Sequence, residues 1–268
     1  MLKAEMILSL ARNPDVRIGI GSRSGSEKII ESIRKSRELG YGQAILYRDP
    51  VEMLTDLSAG VIKAAVRGDM DSHEIIKAIK EIFGVPGLMR AAALEPPSGT
   101  LFFLAPVGID EGWGLEEKIE FIRLGKEFLE NFGIRPRFGI LSAGRLSDIG
   151  RNEVIDRSIR QAEEVVGWGK RAGLDIEHDE ILIEKAVSTR NFILAPDGVT
   201  GNLIFRTLHF IGKGRALGAP VLNLNEIFVD TSRAKQSYVD SIAFAAALVN
   251  RKYRYKELSR GVDHETGD

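Results

Sequence analysis

The chain has 268 residues, 44% of them hydrophobic, a formal net charge of −1 and no cysteine. Length and apolar content allow one large core or two smaller ones sharing a cleft, and two lobes are expected. The near-neutral charge gives no overall basic field for nucleic acid or a membrane surface, and the lack of cysteine removes disulfides, thiolate nucleophiles and cysteine-based metal sites together. The N-terminal stretch MLKAEMILSLARNPDVR has no long apolar core with a small-residue cleavage site, and no run of about 18 apolar residues occurs. The expectation is a cytoplasmic protein without nucleic-acid or membrane partners.

In chain order, short apolar runs suited to strands alternate with helical patterns, the signature of βαβ units around a largely parallel sheet. VRIGIG leads to SEKIIESIRKSREL, where Ile29, Ile30, Ile33 and Leu39 recur at helical spacing and Gly40 closes the end. QAILY leads to PVEMLTDL, and IKAAV leads to DSHEIIKAIKEIF, where Asp71 and Glu74 have capping-box spacing with Asp as the cap. RAAAL and TLFFLAPVG read as adjacent strands, and the helix GLEEKIEFIRLGKEFLENFG feeds strand RFGILSAG. A long helix over 152–171 follows, and EHDE (177–180) reads as a solvated turn. Strands EILIEK, NFILAP, APVLNL and NEIFV come next, then the Ala-rich helix SYVDSIAFAAALVNRKY and a charged tail, 256–268, expected to fray. The expected division is a first α/β lobe of 1–108 plus 226–255 and a second of 109–225. No internal repeat is visible.

Three strand-to-helix corners carry candidate chemistry. GIGSRSG (19–25) could wrap a phosphate, but its G-x-G-x-x-x-G spacing is a weak dinucleotide fingerprint. In ILAPDGVTGNLIFRTLHFIG (193–212) an apolar strand stops at Pro196-Asp197-Gly198 and a helix is expected just after Thr200-Gly201-Asn202, where Gly and Asn let backbone approach an anion at the helix N-terminus. In VDTSRAKQSYVDSIAFAAAL (229–248), Ser232 is a natural N-cap, and Arg233 at the helix start offers a forked donor to phosphate. His73, His178, His209 and His264 show no paired metal spacing, so no metal site is expected.

The corners P-D-x-x-x-G-N, with Pro196, Asp197, Gly201 and Asn202, and T-S-R-A, with Thr231, Ser232, Arg233 and Ala234, occur in this order. Together they resemble the phosphate acetyltransferase and phosphate butyryltransferase family. The helix GLEEKIEFIRLGKEF before strand FGILSAG looks like that family's inter-lobe helix and its strand ending in Ser, here Ser142. The whole-chain pattern looks most like an archaeal branch known as methanogenesis marker protein 4 or putative methyltransferase subunit X.

The resemblance implies a two-lobed α/β fold, phosphate acetyltransferase/isocitrate dehydrogenase-like, whose inter-lobe cleft binds CoA and an acyl phosphate. Thiolate would attack the acyl carbonyl and phosphate would depart. It assigns Ser232 and Arg233 to the phosphate or acyl carbonyl, and Asp240, after a one-residue insertion, to deprotonating the thiol. It also implies phosphate or CoA as a ligand rather than a tightly bound cofactor, possible methyltransferase subunits as partners, and a homodimer. An Ala-rich final helix could serve as the dimer contact or pack inside a lobe. Two departures bear on substrate. HDEILIEKAV stands where the family carries Asp-Gly-Pro, and AAVRGDMDS replaces a small Gly-Ala-rich loop. The second brings in Arg67, a candidate phosphate ligand, with Asp69 and Asp71, which would repel phosphate or simply cap a helix. Arg145 in LSAGRLSD is a further candidate phosphate contact. The alternatives are a non-catalytic partner of a methyltransferase system and, on GIGSRSG alone, an NAD-linked dehydrogenase.

Overall fold

Alternation of short apolar strands with one-sided helices gives an α/β protein in the computed structural model, which describes residues 2–262 and side chains as far as Arg251. In chain order the elements are α1 (Ala4–Leu8), β1 (Arg17–Gly21), α2 (Glu27–Glu38), β2 (Gln43–Tyr47), α3 (Pro50–Ser58), β3 (Ala64–Val66), α4 (Ser72–Phe83), β4 (Ala92–Glu95) and β5 (Phe102–Ala105). Then come α5 (Leu115–Asn131), β6 (Phe138–Leu141), α6 (Glu153–Arg171), β7 (Ile176–Glu180), α7 (Ile183–Thr189), β8 (Phe192–Leu194), α8 (Gly198–Arg206), β9 (Arg215–Pro220), β10 (Ile227–Asp230) and α9 (Val239–Val262).

The chain forms two units. Among the described residues, the first comprises Ala4–Pro86 and Leu224–Val262, and the second comprises Leu2 and Lys3 with Gly87–Asn223. The expected change of lobe near residue 108 thus falls at Gly87 instead. β4 pairs antiparallel with β5 and β9, and β5 pairs parallel with β8, so the hydrogen-bond ladder draws residues 87–107 into the second unit.

In the first unit the strands run in the order β2-β1-β3-β10, all parallel. Its central strand Ala64-Ala65-Val66 is buried throughout, as expected of a parallel strand covered on both faces. Residues Ile242–Ala247 of α9 are completely buried, packed with α1, α2, β1, β3 and β10. Small alanine side chains let this helix lie close to the sheet, so that stretch is lobe interior and not a surface for a second subunit. The backbone of 256–262 continues α9, and the rest of the expected tail, 263–268, lies outside the described residues. In α2 the buried face is Ile29, Ser32 and Ser36, while Ile30 and Leu39 are exposed. Ser32 Oγ there accepts from the Tyr238 amide and donates to Lys28 O, so a polar residue takes a core position by tying α2 to the chain before α9.

The second unit has the strand order β9-β4-β5-β8-β6-β7, with β5, β8, β6 and β7 parallel. Helix α5 crosses β8 at Gly125, where a Cβ would stand 2.6 Å from the Phe192 ring. The segment read as a solvated turn is part of β7, and EILIEK, read as a strand, enters α7. Charge pairing hides the strand: Asp179 is fully buried, bonded to Arg190 Nε at 3.1 Å and paired with Lys185. Likewise APVLNL is mostly loop, with β9 ending at Pro220. Among the described residues, no helix is long and apolar enough to cross a membrane.

Candidate functional site

In the first unit, β1, β3 and β10 are parallel neighbours, so their carboxyl ends present three loops, 22–26, 67–71 and 231–238, along one sheet edge. Ligands of open α/β sheets bind at such edges. The loops are cross-linked: Ser26 Oγ donates to Asp69 Oδ2 (2.6 Å), Thr231 Oγ1 donates to Gly68 O (2.9 Å), and Arg233 Nη1 donates to Asp71 Oδ2 (3.0 Å).

The two candidate arginines stand in different surroundings. Arg67 is buried against Asp230, with side-chain exposures of 8% and 14%, and its Nη1 donates to Met70 O. The Arg233–Asp71 pair is open to water, at 58% and 41%. Asp71 also caps α4 as expected, its Oδ1 accepting from the His73 and Glu74 amides. Those two amides, with Arg233, hold its carboxyl below the usual carboxylate range.

Ser232 does not cap α9. That helix begins at Val239, and the Ser232 hydroxyl instead accepts from the Ala234 amide in a tight turn. The segment between is fixed from beneath: Tyr238 is fully buried and its hydroxyl donates to Ser232 O, while Lys28 Nζ donates to Arg233 O and Lys235 O. Burial, with Asp69 nearby, pushes the Tyr238 hydroxyl well above its usual value, so it stays a donor. The turn therefore presents Arg233 without using helix-dipole charge. Asp240 lies in the first turn of α9, half-buried. The GIGSRSG loop is shaped by protein contacts: a Cβ on Gly21 would meet Met70 Sδ at 2.5 Å and Arg67 O at 2.7 Å.

In the second unit, α8 starts at Gly198, earlier than expected, because Asp197 is its N-cap: Oδ1 accepts from the Thr200 amide at 2.8 Å and Oδ2 from the Thr200 hydroxyl at 3.1 Å. Gly198 and Gly201 face the 106–111 loop so closely that a Cβ would collide with Gly108 O and Pro106 O respectively. Asn202 Nδ2 donates to Val107 O (2.9 Å), and the Gly198 amide donates to Glu111 O. This loop is in turn held by the buried Arg90–Glu111 pair, Nε to Oε1 at 2.5 Å, with Glu111 Oε2 accepting from the Gly108 amide. Burial pushes the Glu111 carboxyl up against the pull of Arg90. The small and amide side chains of the P-D-x-x-x-G-N corner are thus engaged by protein.

Ser142, at the end of β6, is buried, and its Oγ lies 2.8 Å from both Gly144 O and His178 Nε2. His178 Nδ1 lies 2.5 Å from Glu163 Oε1. The Ser142 amide donates to Glu180 O and the Ala143 amide to Ser158 Oγ. Arg145 is exposed beside it, its amide bonded to Asp148.

Sequence reasoning did not reach Lys28, Tyr238 or Lys118, and weighed His178 only as a metal ligand. Lys118 sits 4% exposed on α5, its Nζ donating to Gln161 Oε1 at 2.8 Å; burial lowers it to about 8 against the pull of Asp197. Only its charge inside an otherwise apolar helical stripe could have marked it. Among the described residues, no group of three or more His, Asp or Glu is placed to hold a metal ion.

The fold is that of the phosphotransacylases. It matches a branched-chain phosphotransacylase from Enterococcus faecalis at a TM-score of 0.70 and 18% identity, covering 87% of this chain and 99% of that one. A phosphotransacetylase from Streptococcus pyogenes matches at 0.69 and 14%, over 93% and 99% of the two chains. No family model matches the chain. Its sequence is 40% identical over 273 residues to the Methanosarcina mazei protein named "Putative methyltransferase mtx subunit X", covering 95% of this chain and 98% of that one. A Methanocaldococcus jannaschii protein named as an uncharacterized methyltransferase is 38% identical over 237 residues, 85% and 95% of the two chains. The chain belongs to the mtx subunit X family, the branch its whole-chain pattern resembles.

Proposed function

We propose that this protein is a phosphate acyltransferase-like transferase that binds a phosphate-bearing or CoA-like ligand through Arg233 and Ser232. The supporting observation is Arg233 itself, a guanidinium at the carboxyl edge of a parallel sheet, presented by a braced turn and engaged by one exposed carboxylate. On this reading Arg233 and the Ser232 hydroxyl bind the phosphoryl or acyl oxygen, where one placed donor lowers a barrier by roughly 2.7 to 4 kcal/mol. The thiol gives its proton to Asp240, the thiolate attacks the acyl carbonyl, and phosphate leaves. Arg67, tied to Asp230, shapes the loop; in the second unit, taken by itself, Asp197, Gly201 and Asn202 hold their corner in shape, and Arg145, beside Ser142, is that unit's own candidate anion contact.

Acetyl-phosphate-dependent acylation of CoA tests this. Arg233→Ala is expected to lower turnover about 10²- to 10³-fold. Unchanged turnover and ligand affinity in Arg233→Ala and Ser232→Ala would remove the proposal.

A second reading, a non-catalytic partner of a methyltransferase system, is favoured by the word subunit in the relatives' name and by HDEILIEKAV in place of Asp-Gly-Pro. Robust acyl-phosphate turnover without any copurifying methyltransferase component would exclude it.

A further inference from the structure

We propose that Asp71 sets the anion affinity of Arg233: its carboxylate occupies the place of an incoming phosphate oxygen, and ligand binds by exchange with it. The inference rests on the reading that Arg233 meets the ligand.

Each oxygen of Asp71 has a separate task. Oδ1 accepts the His73 and Glu74 amides at 2.8 and 3.3 Å, and Oδ2 alone receives Arg233 at 3.0 Å. The Arg233 contact can therefore open while the cap on α4 persists. The two arginine pairs of this edge differ in the same respect. Arg67–Asp230 is buried, and separating it would strand a charge. Arg233–Asp71 is exposed on both sides, the kind of pair that contributes little and exchanges readily with another anion.

Because Oδ1 anchors the carboxylate, Asp71 stays beside the guanidinium after exchange. Its charge then opposes every phosphate that binds, so the site is set to moderate affinity. Ser26 already occupies Asp69, and Asp230 is turned to Arg67, which leaves Asp71 as the acid beside Arg233. The ligand class favoured is a phosphate ester with a hydroxyl or amino donor next to its phosphate, which satisfies Arg233 and the vacated Oδ2 at once. Bare phosphate meets the repulsion with no such compensation.

Asp71→Asn separates charge from capping, since Asn is as good an N-cap. Calorimetric titration of inorganic phosphate is the readout, with thermal unfolding to show that the cap is kept. Removing one negative charge a few ångströms from the phosphate is expected to tighten binding about tenfold, and adding Arg233→Ala should abolish the gain. If Arg233→Ala weakens phosphate binding and Asp71→Asn does not tighten it, the role of Asp71 is overturned while the reading of Arg233 stands. If Arg233→Ala leaves phosphate binding unchanged, both fall.

Discussion

The corner before α8 and the turn before α9 look alike in sequence: each follows an apolar strand, carries small and polar residues and leads toward a helix. They are built oppositely. At the first, Asp197, Gly198, Gly201 and Asn202 are engaged by the helix and the 106–111 loop, over a buried Arg90–Glu111 pair. At the second, the buried Tyr238 and the half-buried Lys28 hold the backbone, and the charged side chain Arg233 stays in water. A motif rich in Gly, Asn and Asp can thus be a packing device, whereas Arg233 in the second turn keeps only an exposed partner.

This contrast can be broken by measuring stability and binding separately. Glu111→Leu takes the buried carboxylate away from Arg90, which keeps the exposed Asp110 at 3.5 Å, and is expected to cost about 3 kcal/mol in urea unfolding; a loss below about 1 kcal/mol would mean the loop is held otherwise. Gly201→Ala drives a methyl into Pro106 O and should cost roughly 3 kcal/mol by the same measurement. Lys118→Met should stabilise by about 2 kcal/mol at pH 7, because the folded state carries a buried ammonium. The sign follows from its lowering from 10.5 to about 8. The penalty is full below pH 8 and is relieved as pH rises to 10.5, so the stabilisation by Met should fade across that window. Arg233→Ala should change stability by under about 1 kcal/mol, as expected for an exposed pair.

Much of the fold was legible. Strand and helix alternation located β1 to β3, β6, β8 and α2 to α6, and the Asp71 cap was readable from its spacing to Glu74. The error at 180–189 has a physical source. A short apolar run such as EILIEK suits either strand or helix, and β7 is held by an inward Asp179 whose partners, Lys185 and Arg190, follow it in sequence. The boundary at Gly87 depends on β4 pairing with β9, a contact more than a hundred residues distant that no local pattern announces.

The site was legible in part. Arg233 stands out as a charged donor after a strand, but the delay of α9 to Val239 was hidden, because Ser232 suits a turn as well as a helix cap. The engagement of Gly201 and Asn202 by the 106–111 loop is a tertiary fact, invisible from spacing alone.

The most direct test of the account is calorimetric titration of inorganic phosphate into the wild type, Arg233→Ala and Asn202→Ala, with thermal unfolding of each. The account predicts that Arg233→Ala loses phosphate binding at nearly unchanged stability, whereas Asn202→Ala keeps it while melting earlier. Binding that survives Arg233→Ala and disappears in a folded Asn202→Ala would contradict it.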